Sequence, residues 1–386
     1  MRLLRGSPSS AATLSRSALH QITTSACWTR TSTRRRLFSD RPFQADDLVL
    51  LRNKNDRTAP PILSKPLKPG RRIESHRGVV LHDDLIGRRV RDVVRAQTPR
   101  STKGTVGAEY RLHQVTLDDY CRLSRRLVTP IYPADANVIC SLLNLHPSSP
   151  GTEGDDPIEI LEAGTGHGAL TMYLSRAIWN SHAVLHTIEI SPKFSAHAQD
   201  VISAFRGGIY AQNVKFHVGD VSEWIAEEKC SRGADGEPFL AHAFLDLPNA
   251  DAHVETLAGA LQIDGMLIVF TPSISQITEL AMKIKDQGIQ LDLEKVIELG
   301  VNGSSGGREW DVRFVRTRAE QRKEIEQEEL ATTEDSQHSG HEPRDAESAP
   351  VHAEAVKWSS ICRPKVGDRI IGGGFLGVWR KQRDMR

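Results

Sequence analysis

Residues 158–170 read Ile158-Glu159-Ile160-Leu161-Glu162-Ala163-Gly164-Thr165-Gly166-His167-Gly168-Ala169-Leu170. A short apolar strand ends in an acid, a glycine-dense turn follows, and an apolar-periodic helix starts near Ala169. This is the strand, loop and helix that open a nucleotide-binding α/β unit. The glycines fall as Gly-x-Gly-x-Gly, not as the Gly-x-Gly-x-x-Gly that seats a dinucleotide pyrophosphate. No Lys is present in the loop for a triphosphate. Glu162 at the strand end would repel phosphate but suits a cation. A ligand carrying an ammonium, a sulfonium and an adenosine fits, namely S-adenosylmethionine. A tight turn without a ligand would also fit this stretch alone.

The following strands narrow the choice. Val184–Ile190 is an apolar run with Glu189 near its end, about twenty-five residues after the loop, where a carboxylate can accept both ribose hydroxyls. Val214–Asp220 ends in Asp220, placed to reach an adenine edge. Ala241–Pro248 carries Asp246 at its end. Each acid alone would suit a helix cap or a solvated turn. In register with a glycine loop, they predict one crevice at the strand ends.

The 386 residues suffice for two domains and tails, and no apolar run approaches the length that spans a bilayer. The five cysteines form no Cys-x-x-Cys and have no His at metal-ligand spacing, so neither a disulfide framework nor structural zinc is expected. The net charge of +1 hides segregation. Residues 1–38 carry seven Arg and no acid, and residues 39–132 balance at +8. Residues 133–318 balance at −12, 319–354 at −8 and 355–386 at +6. A basic N-terminal region beside an acidic cofactor domain predicts contact with a polyanion.

Residues 1–38, rich in Arg, Ser and Thr, read as a mitochondrial presequence. Arg34-Arg35-Arg36-Leu37-Phe38 resembles a matrix-processing site, and a disordered RNA-binding tail is the alternative. Residues 43–115 hold short apolar runs broken by Pro, Gly and charge, which predicts a small β-rich, RNA-contacting domain with arginines at 71, 72, 77, 88, 89, 91, 95 and 100. Residues 116–318 and 355–386 are expected to form the cofactor domain, a parallel α/β sheet. Its closing antiparallel hairpin is expected from Trp310–Arg316 and Val356–Cys362. Residues 319–354 read as an acidic disordered insertion at that hairpin's tip. Gly372–Trp379 reads as a glycine-rich turn and an apolar anchor.

Several pieces together resemble the catalytic subunit of the tRNA (adenine-58-N1) methyltransferases, and more the bacterial and mitochondrial branch. They are Thr129-Pro130-Ile131-Tyr132-Pro133-Ala134-Asp135, the glycine loop, Ile188-Glu189, Leu245-Asp246-Leu247-Pro248, Arg308-Glu309-Trp310 and Arg363-Pro364. The resemblance implies a Rossmann-like class I methyltransferase fold and S-adenosylmethionine as cofactor. It implies tRNA as partner, a mitochondrial matrix location and a tetramer, of one chain or with a non-catalytic RNA-binding subunit. By the same resemblance Gly164, Thr165, Gly166, His167, Gly168 and Ala169 line the methionine part of the cofactor, with Glu162 the cofactor-binding acid at the strand end. Glu189 meets the ribose, Phe194 the adenosine and Asp220 the adenine. Asp246 sits between cofactor and target base, and Tyr132, Arg308 and Trp310 are candidates for the substrate side. His167 departs from the family's usual Ser, and Ala134 from its usual Lys.

The chemistry asks little covalent help of the protein. Adenine N1 has a lone pair, and methylation leaves the ring cationic. A carboxylate accepting from the exocyclic amino group gains strength as that charge develops, and Asp246 is the candidate. Without a Pro-Cys or Thr-Cys motif at this strand end, cytosine C5 chemistry lacks its thiolate. A paired T-loop adenine has to be flipped out of its stack. The rival readings are a non-catalytic RNA-binding subunit and a methyltransferase for another RNA or a protein.

Overall fold

The computed structural model describes residues 41–97, 107–149, 157–233, 237–300, 310–316, 358–364 and 373–383. The expected presequence and acidic insertion lie outside these residues. The chain first builds a small β unit from β1 (Val49–Asn53), β2 (Ile62–Leu63), β3 (Arg72–Ser75), β4 (Gly78–Leu81), β5 (Val93–Arg95) and β6 (Glu109–Gln114), with one helical turn, α1 (His82–Leu85), after β4. The antiparallel sheet has the order β2-β1-β6-β5, and β3 and β4 form a separate hairpin. The alternation of side chains along β1 explains how this unit attaches. Val49 and Leu51 enter its own core with Leu112 and Tyr110, while Leu50 joins the core of the larger domain. The run Leu85-Ile86-Gly87 belongs to the helical turn and its exit, not to a strand.

Thr116 caps the next helix, α2 (Leu117–Leu123), by accepting from the Asp119 amide at 3.0 Å. The following helix, α3 (Pro133–Leu143), starts at a proline and stops at Asn144 in the left-handed conformation. Strand and helix then alternate through β7 (Ile158–Ala163), α4 (Ala169–Ala177), β8 (Ala183–Glu189), α5 (Pro192–Ala204), β9 (Val214–Val218), α6 (Val221–Arg232), β10 (Leu240–Leu245), α7 (Val254–Ala260), β11 (Leu261–Thr271) and α8 (Ile274–Asp286). Among the described residues four strands follow the last helix, the first three being β12 (Leu291–Leu299), β13 (Trp310–Arg316) and β14 (Trp358–Pro364). The last is β15 (Gly374–Lys381).

The larger sheet has the order β12-β15-β11-β10-β7-β8-β9. Strands β7 to β11 run parallel, and β15 is antiparallel to both β11 and β12. Its central strands are covered on both faces, as a parallel sheet requires. Ile160, Leu185, Phe244 and Ile268 pack into one core, and Leu161, Ile188, Leu245 and Val269 into the other. From β7 the chain steps outward to β8 and β9, then returns to lay β10 on the opposite side of β7. That reversal opens a crevice at the carboxyl ends of β7 and β10, the binding position in such sheets.

The sheet is closed by other residues than expected. β13 and β14 do pair, with Val312 opposite Cys362, but they form a two-stranded sheet of their own. The closing pair is β12 and β15. Residues 374–379, read from sequence as a turn and an anchor, are a strand between β11 and β12. The physical reason is burial: Leu376, Val378 and Trp379 are at most 2 % exposed. Gly377 has no room for a side chain, because a Cβ there would stand 2.3 Å from the Trp379 ring. Gly377 therefore admits the indole and lies within a strand.

Candidate active site

The glycine loop follows β7 and is held by backbone hydrogen bonds to β8 and within itself. The Gly164 and Thr165 amides donate to Ile188 carbonyl oxygen at 2.9 and 3.2 Å, and the Gly168 amide to the Thr165 carbonyl at 2.8 Å. Gly164 has φ of +95°, and a Cβ on it would stand 2.2 Å from the carbonyl oxygen of Asp246. The loop thus lies directly against the end of β10, and only glycine permits that approach. Gly168 caps α4 in the left-handed conformation, with Ile202 of α5 at 3.0 Å from where its Cβ would be.

Glu162, the last acid of β7, is 1 % exposed. Its Oε2 accepts from the Thr171 and Thr187 hydroxyls at 2.6 and 2.7 Å. Thr187 also pairs with the Thr165 hydroxyl at 2.7 Å. Burial pushes the Glu162 carboxyl up to about 7, with Asp246 and Glu189 adding repulsion. The two threonines were not anticipated from sequence, because each is an ordinary strand or helix residue until α4 folds back over β7.

Glu189 holds the loop itself. Its Oε2 accepts from the Gly166 amide at 2.9 Å and its Oε1 from the Ser191 amide at 3.1 Å. Asp246 is anchored by its backbone, whose amide donates to the Ala163 carbonyl at 2.9 Å. Among the described residues nothing donates to its carboxylate. Burial, and then the charge of Glu189, raise the Asp246 carboxyl to about 6. Three acids therefore meet at the switch point, two of them held well above their ordinary range. Such a set is poor for a phosphate and good for a cation, which would replace mutual repulsion by attraction.

Asp220 caps α6, accepting from the Ser222 and Glu223 amides at 2.7 and 3.1 Å through Oδ1. Phe194 lies half-buried on the first turn of α5, after the β8 acid. Tyr132 is the residue before α3, with the Arg126 guanidinium 5.4 Å from its ring centre. The loop thus touches Glu189 and the Asp246 carbonyl directly, and Glu162 reaches it through the Thr187 and Thr165 hydroxyls. Arg308 lies outside the described residues, and for Trp310 only its place on β13, opposite Pro364, is described.

His167 is buried at 1 % exposure. Its Nε2 lies 3.1 Å from Ser124 Oγ. Burial depresses its imidazole to about 4, and His197 and Arg126 act in the same direction. Of the N-terminal arginines, Arg72, Arg77 and Arg95 pair with Glu74, Asp56 and Glu109. Arg71, Arg88 and Arg91 are exposed. Among the described residues no His, Cys, Asp and Glu group forms a metal site, and no helix is long and apolar enough to cross a membrane.

The chain is similar to known proteins. The family model described as tRNA methyltransferase complex GCD14 subunit matches residues 122–367. The tRNA (adenine(58)-N(1))-methyltransferase TrmI of Thermus thermophilus is 32% identical over 247 residues, spanning 64% of this chain and 82% of that protein. A tRNA (adenine(57)-N(1)/adenine(58)-N(1))-methyltransferase TrmI of Methanocaldococcus jannaschii is 28% identical over 231 residues, covering 53% and 74%. Among solved structures, an SAM-dependent O-methyltransferase from Thermotoga maritima aligns with a TM-score of 0.57 at 16% identity, covering 90% of this chain and 97% of that one. The tRNA (m1A58) methyltransferase TrmI from Aquifex aeolicus aligns at 0.51 and 20% identity, covering 89% and 99%. At these identities the structural likeness shows the Rossmann-like methyltransferase fold.

Proposed function

The chain belongs to the GCD14 family of tRNA methyltransferase complex subunits, and from that premise we propose that it methylates N1 of adenine 58 in the T-loop of mitochondrial tRNA. The observation that carries this reading is the trio of acids around the glycine loop, with Asp246 unpartnered among the described residues and raised to about 6. S-adenosylmethionine supplies a methyl group on a sulfonium, already activated for transfer. The residues fit it: the Gly164 cradle has no space for a side chain, and the acids favour a positive ligand.

Glu189 orders the loop through the Gly166 amide and stands at the strand end suited to a ribose. Asp246 receives the exocyclic amino group of the flipped adenine, and its charge offsets the cation that forms on the ring. N1 has no proton to lose, so Asp246 orients and stabilises and is not required as a base. Tyr132 walls the flipped base. Residues 1–38 direct the protein to the matrix, and the working form is a tetramer, of this chain or with a non-catalytic RNA-binding subunit.

Protein beginning at Ser39, incubated with T-loop tRNA and S-adenosylmethionine, is expected to yield 1-methyladenosine by nucleoside mass spectrometry. Asp246→Ala is expected to lower turnover by about a hundredfold or more, with cofactor binding weakened far less. Methyl on another atom, or on protein, would overturn the specificity. Intact cofactor binding with no transfer would point to the non-catalytic subunit instead.

A further inference from the structure

The chain between α2 and α3 crosses the glycine loop, and its contacts there converge on one side chain. Ser124 ends α2 and meets His167 Nε2 at 3.1 Å. The next residue, Arg125, offers its carbonyl to His197 Nε2 at 3.0 Å. His197 stands edge-on to the His167 ring, with centres 5.9 Å apart. Three residues on, Val128 Cγ2 lies 3.4 Å from where Gly166 would carry a Cβ. The same segment ends at Tyr132, against which Arg126 packs.

His167 Nδ1 is buried with no hydrogen-bond partner among the described residues. A buried ring nitrogen without a partner is costly. A small residue would avoid that cost and still make the turn. The ring is therefore explained by what it holds, and all it holds belongs to this segment and to α5. We infer that His167 is a positioning residue that helps fasten segment 124–132 across the glycine loop, so that its contact with Ser124 contributes to the wall of the donor site and to the placement of Tyr132. This rests on the methyltransferase reading given above.

The latch predicts coupling, because Ser124 and His167 then act as a unit. Hydrogen exchange on the full chain without RNA is expected to show faster exchange across 124–132 in His167→Ala, with α8 unchanged. Calorimetry is expected to show S-adenosylmethionine binding weakened about fivefold to tenfold, the scale of one lost hydrogen bond. Ser124→Ala, a milder change, should reproduce both effects, and the double variant should add little to either. His167→Gln, which can still reach Ser124, should restore most of the protection. Unchanged exchange across 124–132 in both single variants, or fully additive losses in the double variant, would overturn the latch. Should the wild-type protein fail to methylate tRNA, the functional reading falls, while the exchange data still decide whether the latch exists.

Discussion

Asp246 and Glu162 give the site a pH signature. Their carboxyls, ordinarily near 3.8 and 4.5, rise to about 6 and about 7 in the folded chain, mainly through burial. The folded protein thus holds protons that the unfolded chain has released. This contribution to stability is complete below the unfolded values and is lost as pH rises through about 6 and 7. A cation prefers the ionised acids, so donor affinity should run the opposite way. Calorimetry between pH 5.5 and 8 is expected to show tighter S-adenosylmethionine binding at the higher pH, with proton release near pH 6. Asp246→Asn should flatten that profile. At Gly164, the contact with the Asp246 carbonyl predicts that Gly164→Ala removes donor binding. Retention of wild-type affinity by this variant would contradict the described loop.

Among the elements, β15 joins the parallel strands to the sheet edge at β12. It is hydrogen-bonded on both sides, and its Trp379 is fully buried. Trp379→Ala should lower unfolding free energy by about 3–5 kcal/mol, read as a shift in denaturant midpoint with the m-value kept. A second polar element crosses β7, β8 and α6. Glu159 accepts from both Arg232 guanidinium nitrogens at 2.8 Å and from His186 at 2.9 Å, and His186 in turn meets His217 at 3.1 Å. The His186 and Arg232 contacts hold the Glu159 carboxyl at about 2 against the opposing effect of burial. It therefore stays ionised across the range in which the site acids titrate.

For the molecule as a whole, charge is divided between the β unit and the α/β domain. The exposed Arg71, Arg88 and Arg91 are better candidates for a polyanion than Arg72, Arg77 and Arg95, which face acids of their own. Replacing each of the first three by Ala should weaken tRNA binding and reduce the slope of log affinity against log salt by about one. Arg72→Ala should change the slope less. The matrix assignment is checked by a fluorescent fusion of residues 1–45, and a cytosolic signal would refute it.

Much of the candidate site could be read along the chain. Gly164, Gly166, Gly168, Glu189 and Asp246 are signalled by local pattern, since alternation within a strand and the punctuation after it reveal where strands end. A parallel sheet then gathers those ends in one place, whatever its loops do. Three features depended on contacts between distant segments. β15 takes its place between β11 and β12 because the sheet needs a buried strand there, and its glycines hide that from a local reading. Glu162 gains Thr171 and Thr187 as partners only when α4 closes on β7. His167 becomes a buried link because the segment after α2 runs across its loop. Periodicity is a property of neighbours in the chain, whereas desolvation and hydrogen-bond partnership are properties of neighbours in space.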